Sequence, residues 1–154
     1  MTTNEASVAG APSDTVSHIS WSPTADFFVA SSWSFDVRCY QAAIDRSRVS
    51  AKGKAGQKHG APVFCTAWSL DGKSVFWGGA DGKVMMWGMA ENKVRQVGEH
   101  SGPISSLKWS KQLNTLATSS WDKTIKYALR KKEKDKKKAI KNSKTNLGFY
   151  LPLF

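Results

Sequence analysis

The chain has 154 residues, its Lys and Arg outnumber Asp and Glu by 11, and 40% of it is hydrophobic. That is one domain's length with enough apolar content for a core. Two cysteines, no long apolar run and no leader-like start set the expectation against disulfide-scaffold, membrane and secreted classes. A wholly disordered chain is excluded by seven Trp, all lying between Trp21 and Trp121.

Residues 1–14 are small and polar and are expected to be a disordered lead-in. Strands follow in short apolar runs separated by turn clusters. The first group is Val16 to Trp21, Phe27 to Ser31, Val37 to Tyr40, and a fourth over Val49 to Lys52. The second is Val63 to Trp68, Ser74 to Trp77, Val84 to Trp87 and Lys93 to Val97. The third is Ile104 to Trp109, Thr115 to Ser119 and Ile125 to Tyr127. The turns between them carry Leu70-Asp71-Gly72, Gly78-Gly79-Ala80-Asp81-Gly82 and Trp121-Asp122-Lys123.

The three groups are one repeat. Trp21, Trp68 and Trp109 each precede a serine at spacings of 47 and 41 residues. Ser31, Gly78 and Ser119 share those spacings, as do Val37, Val84 and Ile125; His59 and His100 are 41 apart. A period near 40–45 with four short strands per unit is that of a propeller blade. The predicted units are about 15–56, 57–98 and 99–127, an all-β partial propeller of about three blades.

The pattern resembles WD40 repeats over residues 15–127. In such a repeat a buried His bonds an Asp in the turn before the third strand and a Ser/Thr on the second strand. The hydroxyl then reaches the indole of the Trp that ends the third strand. Carried over by position, the second repeat offers His59, Asp81 and Trp87, with Trp77 in the Ser/Thr slot. The third offers His100, Thr118 and Asp122. The first has Ser34 where the Asp belongs and Tyr40 in place of the Trp. The histidines are therefore expected to be structural, satisfying polar groups inside the blade.

A narrower resemblance rests on Ser31-Ser32-Trp33, Asp36-Val37-Arg38-Cys39-Tyr40, Lys58-His59-Gly60-Ala61-Pro62-Val63 and Ser119-Ser120-Trp121-Asp122-Lys123-Thr124. These look like the first three repeats of the Gle/Rae-type mRNA export WD40 proteins of the nuclear pore. The sister family of Bub-type mitotic checkpoint proteins shares the Ser-Trp-Asp-Lys-Thr turn. The export resemblance implies a non-enzymatic scaffold of the nucleus, nuclear pore and cytoplasm. It implies a Phe-Gly nucleoporin as partner, bound through a short helical-hairpin motif, together with RNA. It implies no cofactor, metal, membrane or small-molecule substrate. By position, Trp33, Arg38 and Trp121 are the partner-binding candidates. Exposed indoles suit a protein hot spot and a guanidinium suits an acidic group. Packing of the two Trp between blades is the competing reading.

Composition breaks at Ala128, where the repeat spacing calls for the Trp that ends the third strand. Arg130 to Lys144 holds nine basic and two acidic residues, so +7 of the net +11 lies there. Lys131, Lys132, Lys136, Lys137 and Lys138 are candidates for RNA contact or nuclear import. A helix over 128–144, and aberrant sequence over 128–154 in a truncated product without activity, are the alternatives. Catalysis finds no support: no phosphate loop is present, and Cys39 and Cys65 lack zinc-ligand spacing. They are expected to be small packed hydrophobes.

Overall fold

The computed structural model describes residues 7–45 and 48–129, and it is built of antiparallel strands. The first sheet pairs β1 (Val16–Trp21), β2 (Phe27–Ser32), β3 (Asp36–Asp45) and β4 (Arg48–Lys58) in that order. The second pairs β5 (Val63–Trp68), β6 (Ser74–Gly79), β7 (Lys83–Gly88) and β8 (Lys93–Glu99). The third pairs β9 (Ile104–Ser110), β10 (Thr115–Ser120) and β11 (Ile125–Leu129). These are three successive propeller blades, with β1, β5 and β9 side by side as the inner strands.

Each blade face buries its apolar residues against the next blade. Val29, Val37 and Cys39 of the first blade pack on Val63, Trp68, Val75, Trp77 and Trp87 of the second. Cys65, Phe76 and Val84 of the second pack on Ile104, Leu107 and Leu116 of the third. Alternation along a strand thus feeds two interfaces, which is why the central blade is apolar on both faces. The two thiols are free and buried among these side chains. Burial pushes Cys39 up to about 11 and Cys65 up to about 12, so neither is a thiolate at neutral pH.

The turn between the second and third strands is the same in all three blades. Trp33, Ala80 and Trp121 occupy one position, and their backbone N–H groups donate to the carbonyls of Thr15, Pro62 and Pro103 at 3.0, 2.9 and 3.0 Å. Two residues later the chain turns left-handed, with φ of 66° at Phe35, 78° at Gly82 and 69° at Lys123. Only one of the three is the glycine this conformation favours.

Three features differ from the sequence expectation. β3 and β4 form a hairpin far longer than Val37–Tyr40 and Val49–Lys52. The Gly, Ala and Lys of residues 51–58 are poor strand formers, and backbone pairing to β3 overrides them. Residues 7–14, read as a disordered lead-in, include a seated stretch. Val8 packs against Phe28, Ala30 and Tyr40. The carbonyl of Gly10 accepts from Arg38 Nη1 and from the Tyr40 hydroxyl, both at 2.9 Å. β11 also runs through Ala128 and Leu129, whose backbones pair with Leu116 and Thr115, past the composition break. The lysine candidates Lys131, Lys132, Lys136, Lys137 and Lys138 lie outside the described residues.

Candidate docking surface

The third blade carries a closed polar network. His100 Nδ1 donates to Asp122 Oδ2 at 3.0 Å, and its Nε2 lies 2.9 Å from the Thr118 hydroxyl. Asp122 also accepts from the Thr124 hydroxyl at 2.6 Å, from the Thr124 amide at 2.9 Å and from the Ser101 amide at 3.1 Å. The Thr124 hydroxyl is the largest influence holding the Asp122 carboxyl below the usual carboxylate range, and it outweighs desolvation. With Nδ1 the donor, Nε2 accepts from the Thr118 hydroxyl, whose oxygen also lies 3.3 Å from the Lys126 carbonyl.

The second blade departs from that arrangement. His59 Nε2 donates to Asp81 Oδ1 at 2.9 Å. Burial opposes ionisation of Asp81, but the Lys83 amide, His59 and the Lys83 charge together hold its carboxyl below the usual value. Trp77, in the Thr118 position, meets His59 edge-on with ring centroids 6.3 Å apart and offers no hydroxyl relay. Trp87 is thereby cut off from the histidine, correcting the expected network. Its indole donates to Asn92 Oδ1 at 2.9 Å, and Asn92 also accepts from Gln57 on the first blade at 2.8 Å. The indole N–H of Trp77 is buried without a hydrogen-bond partner.

The first blade has neither His nor Asp at these positions. Ser34 instead donates to Asp36 Oδ1 at 2.9 Å, and Arg38 Nε donates to Asp36 Oδ2 at 2.8 Å. The Arg38 guanidinium thus spans buried Asp36 and the carbonyls of Gly10 and Ala11, tying the seated lead-in to the sheet. His18 sits within β1. Its Nδ1 accepts from the Thr66 amide at 3.4 Å and lies 3.0 Å from the Thr66 hydroxyl.

Trp33 and Trp121 are exposed, at 50% and 68%, and each also touches a ring of the second blade. Phe64, at the start of β5, lies between them. Its ring centroid is 5.7 Å from Trp33 and 6.1 Å from Trp121, the latter stacked at 27°. One residue from each blade thus builds a continuous aromatic strip at one end of the inner strands. Sequence reasoning missed Phe64. Its equivalents, Ser17 and Ser105, pair with Ser31 at 2.9 Å and Ser119 at 2.8 Å. In the second blade that partner is Gly78, which has no hydroxyl to offer. A phenylalanine where the other two repeats hold serine was the available signal. Ala80, small at the Trp33 and Trp121 position, stands in the intervening turn.

Lys58 and Lys83 are balanced by Asp36 at 3.7 Å and Asp81 at 3.6 Å. The strip itself is apolar and aromatic, as at the centre of a protein interface, with the exposed Lys123 in the same turn as Trp121. Among the described residues no cluster of His, Cys, Asp and Glu could hold a metal ion, and no helix is long and apolar enough to cross a membrane.

Two four-strand sheets and a three-strand one, equivalent turns and the His–Asp network define a WD40-type propeller scaffold. The chain belongs to the WD domain, G-beta repeat family, whose profile matches residues 4–41, 54–88 and 91–127. It is 33% identical over 123 residues to the poly(A)+ RNA export protein of Schizosaccharomyces pombe, covering 78% of this chain and 34% of that one. It is 36% identical over 129 residues to protein Rae1 of Drosophila melanogaster, covering 80% and 36%. It is 33% identical over 130 residues to the mRNA export factor GLE2 of Chaetomium thermophilum, covering 80% and 36%. The chain spans about a third of the length of these relatives.

Proposed function

We propose that this chain is part of a non-enzymatic WD40 scaffold for mRNA export and that the Trp33–Phe64–Trp121 strip docks a segment of a Phe-Gly nucleoporin. The observation that carries the reading is the strip itself. Three blades each contribute one aromatic side chain to a single surface, and the two indoles stay open to solvent. Exposed aromatic rings held by their neighbours lose little entropy on binding and offer large area, the usual makings of a hot spot. The export assignment is supported by the names of the similar proteins, and on this reading the scaffold works between nucleus and cytoplasm at the pore.

Arg38 contributes to the same margin indirectly, by fixing Asp36 and the seated lead-in behind the turn that carries Trp33. The test is titration of a nucleoporin helical-hairpin peptide into the chain by calorimetry. Binding that falls at least about tenfold in Trp121→Ala and in Phe64→Ala supports the reading. Equal binding by both variants, or docking of a kinetochore-protein segment in preference to the nucleoporin peptide, overturns it.

A further inference from the structure

The two blade interfaces are not equally filled. Between the first and second blades, Phe27, Trp68 and Trp87 belong to one packed cluster. The repeat puts Ser74, Trp109 and Ala128 at the matching positions between the second and third blades. Ser74 pairs with Gly88 as Phe27 pairs with Gln41, and Ala128 pairs with Leu116 as Trp87 pairs with Val75. A phenyl and an indole are thus absent from the second interface, and Gly88 stands where the first has Gln41. A closely packed interior that lacks two rings either collapses or leaves room.

Here it leaves room. An open recess of about 530 Å³ lies between the second and third blades, beside the β5–β6 and β7–β8 turns. That is the end of the blades opposite the Trp33–Phe64–Trp121 strip. Phe76, Met86 and Trp109 give it an apolar lining, and the rings of Phe76 and Trp109 stack at 5.2 Å. Ser74 and Gly88 form a stretch of wall that carries no ring. Lys73 and Lys93 are exposed at the rim, and neither forms an ion pair among the described residues. Asp71 and Glu91 are the carboxylates there. Asp71 is held by its own turn, accepting from the Ser69 hydroxyl at 2.6 Å and the Lys73 amide at 3.1 Å. With Arg95, whose Nη2 lies 3.8 Å from Met86 Sδ, cations outnumber carboxylates around the recess.

We propose that this recess takes a tryptophan side chain from an acidic segment of a partner polypeptide. The repeat itself supplies the precedent, since Phe27 and Trp87 fill the same place one interface earlier. A recess open on one side admits a ring that stays attached to its chain, and interface anchors bind by desolvating one aromatic ring in such a pocket. The surplus of cations at the rim favours carboxylates beside the anchor. The aromatic strip at the opposite end takes no part, so the two docking surfaces stand or fall separately.

The test uses the full chain with isotope-labelled methionine methyl groups, read by NMR. Met86 lines the recess, while Met85 and Met89 pack into the first interface and serve as controls. The peptide acetyl-Asp-Trp-Asp-amide should shift the Met86 methyl far more than the other two. Acetyl-Asp-Leu-Asp-amide should bind at least about tenfold more weakly for want of the ring, and acetyl-Lys-Trp-Lys-amide several-fold more weakly. Ser74→Phe restores the ring that Phe27 supplies in the first blade and should abolish binding without loss of stability. Lys73→Glu with Lys93→Glu, both on the surface, leaves folding out of the question and should weaken the acidic peptide while strengthening the basic one. No shift of Met86, equal binding by the leucine peptide, or undiminished binding in Ser74→Phe overturns the proposal. Free indole binding as tightly as the acidic peptide also overturns it, in favour of a small aromatic molecule. So does a Met86 shift, with no peptide present, on replacing Phe149, Tyr150 and Phe154 by Ala. Those residues lie outside the described ones, and that result would make the chain's own aromatic end the occupant.

Discussion

The ring of Phe64 stacks on Trp121 of the neighbouring blade with centroids 6.1 Å apart and planes inclined by 27°. A strand residue of one repeat thus props up a turn residue of the next, and the exposed indole is held in place by a half-buried ring. Phe64→Ala should cost about 1 kcal/mol of stability, because only part of the ring is buried. Its larger effect should be on docking, where Trp121 loses its support. Calorimetry with the nucleoporin peptide, beside a urea titration, separates the two.

The buried Trp77 indole has no hydrogen-bond partner. Trp77→Phe should therefore be close to neutral, since the lost packing is offset by removing an unpaired N–H. Trp77→Ala should cost about 3–5 kcal/mol through the cavity it leaves between the first two blades. A Trp77→Phe variant destabilised as much as Trp77→Ala in urea would mean the indole N–H is satisfied after all.

The Thr118 hydroxyl is 2.9 Å from His100 Nε2 inside the third blade. Thr118→Val keeps the shape and removes the hydroxyl. It should cost about 1–3 kcal/mol, the penalty of a buried ring nitrogen left unsatisfied. Thr118→Ser should retain most of the stability. Equal losses for Val and Ser in thermal unfolding would assign the site to packing alone.

Phe35, Gly82 and Lys123 share a left-handed turn position, with φ of 66°, 78° and 69°. Phe35→Gly relieves backbone strain but adds freedom to the unfolded chain, so a net gain of about 0.5–1 kcal/mol is expected. Gly82→Ala should be destabilising, since a Cβ there would come within 2.4 Å of the His100 carbonyl oxygen. Opposite shifts in melting temperature for the two variants would verify the shared geometry.

Stability should fall as pH drops from 7 toward 5. His18 is held below 6.5 in the folded chain, so the unfolded chain binds more protons in that window. His18→Gln should flatten this part of the profile. A second decline should begin below the ordinary carboxylate value of 3.8, where Asp81 and Asp122 are protonated in the unfolded chain first. That contribution is present above 3.8 and disappears as pH passes through their lower folded values. Urea titrations across pH would expose both steps.

The strands of the second and third blades were legible to within about two residues, because their apolar alternation and Gly-Asp turns are local signals. The β3–β4 hairpin was not, because backbone pairing rather than side-chain preference extends it. His59–Asp81 and His100–Asp122 follow from repeat spacing, since equivalent turns bring equivalent residues together. Trp87 follows no such rule: Trp77 occupies the relay position, and Asn92 in the next turn captures the indole.

The amino-acid sequence by itself determined three repeats, their order, and which His and Asp meet, because periodicity and turn chemistry act within a single blade. Only the tertiary structure decided which indoles are buried and which are open. Trp33, Trp77, Trp87 and Trp121 are alike as residues, and their exposures of 50%, 0%, 1% and 68% depend on what the adjacent blade places against them. Phe64 joins Trp33 to Trp121 for the same reason: propeller packing brings together residues far apart in the chain, and that proximity is written in no one repeat.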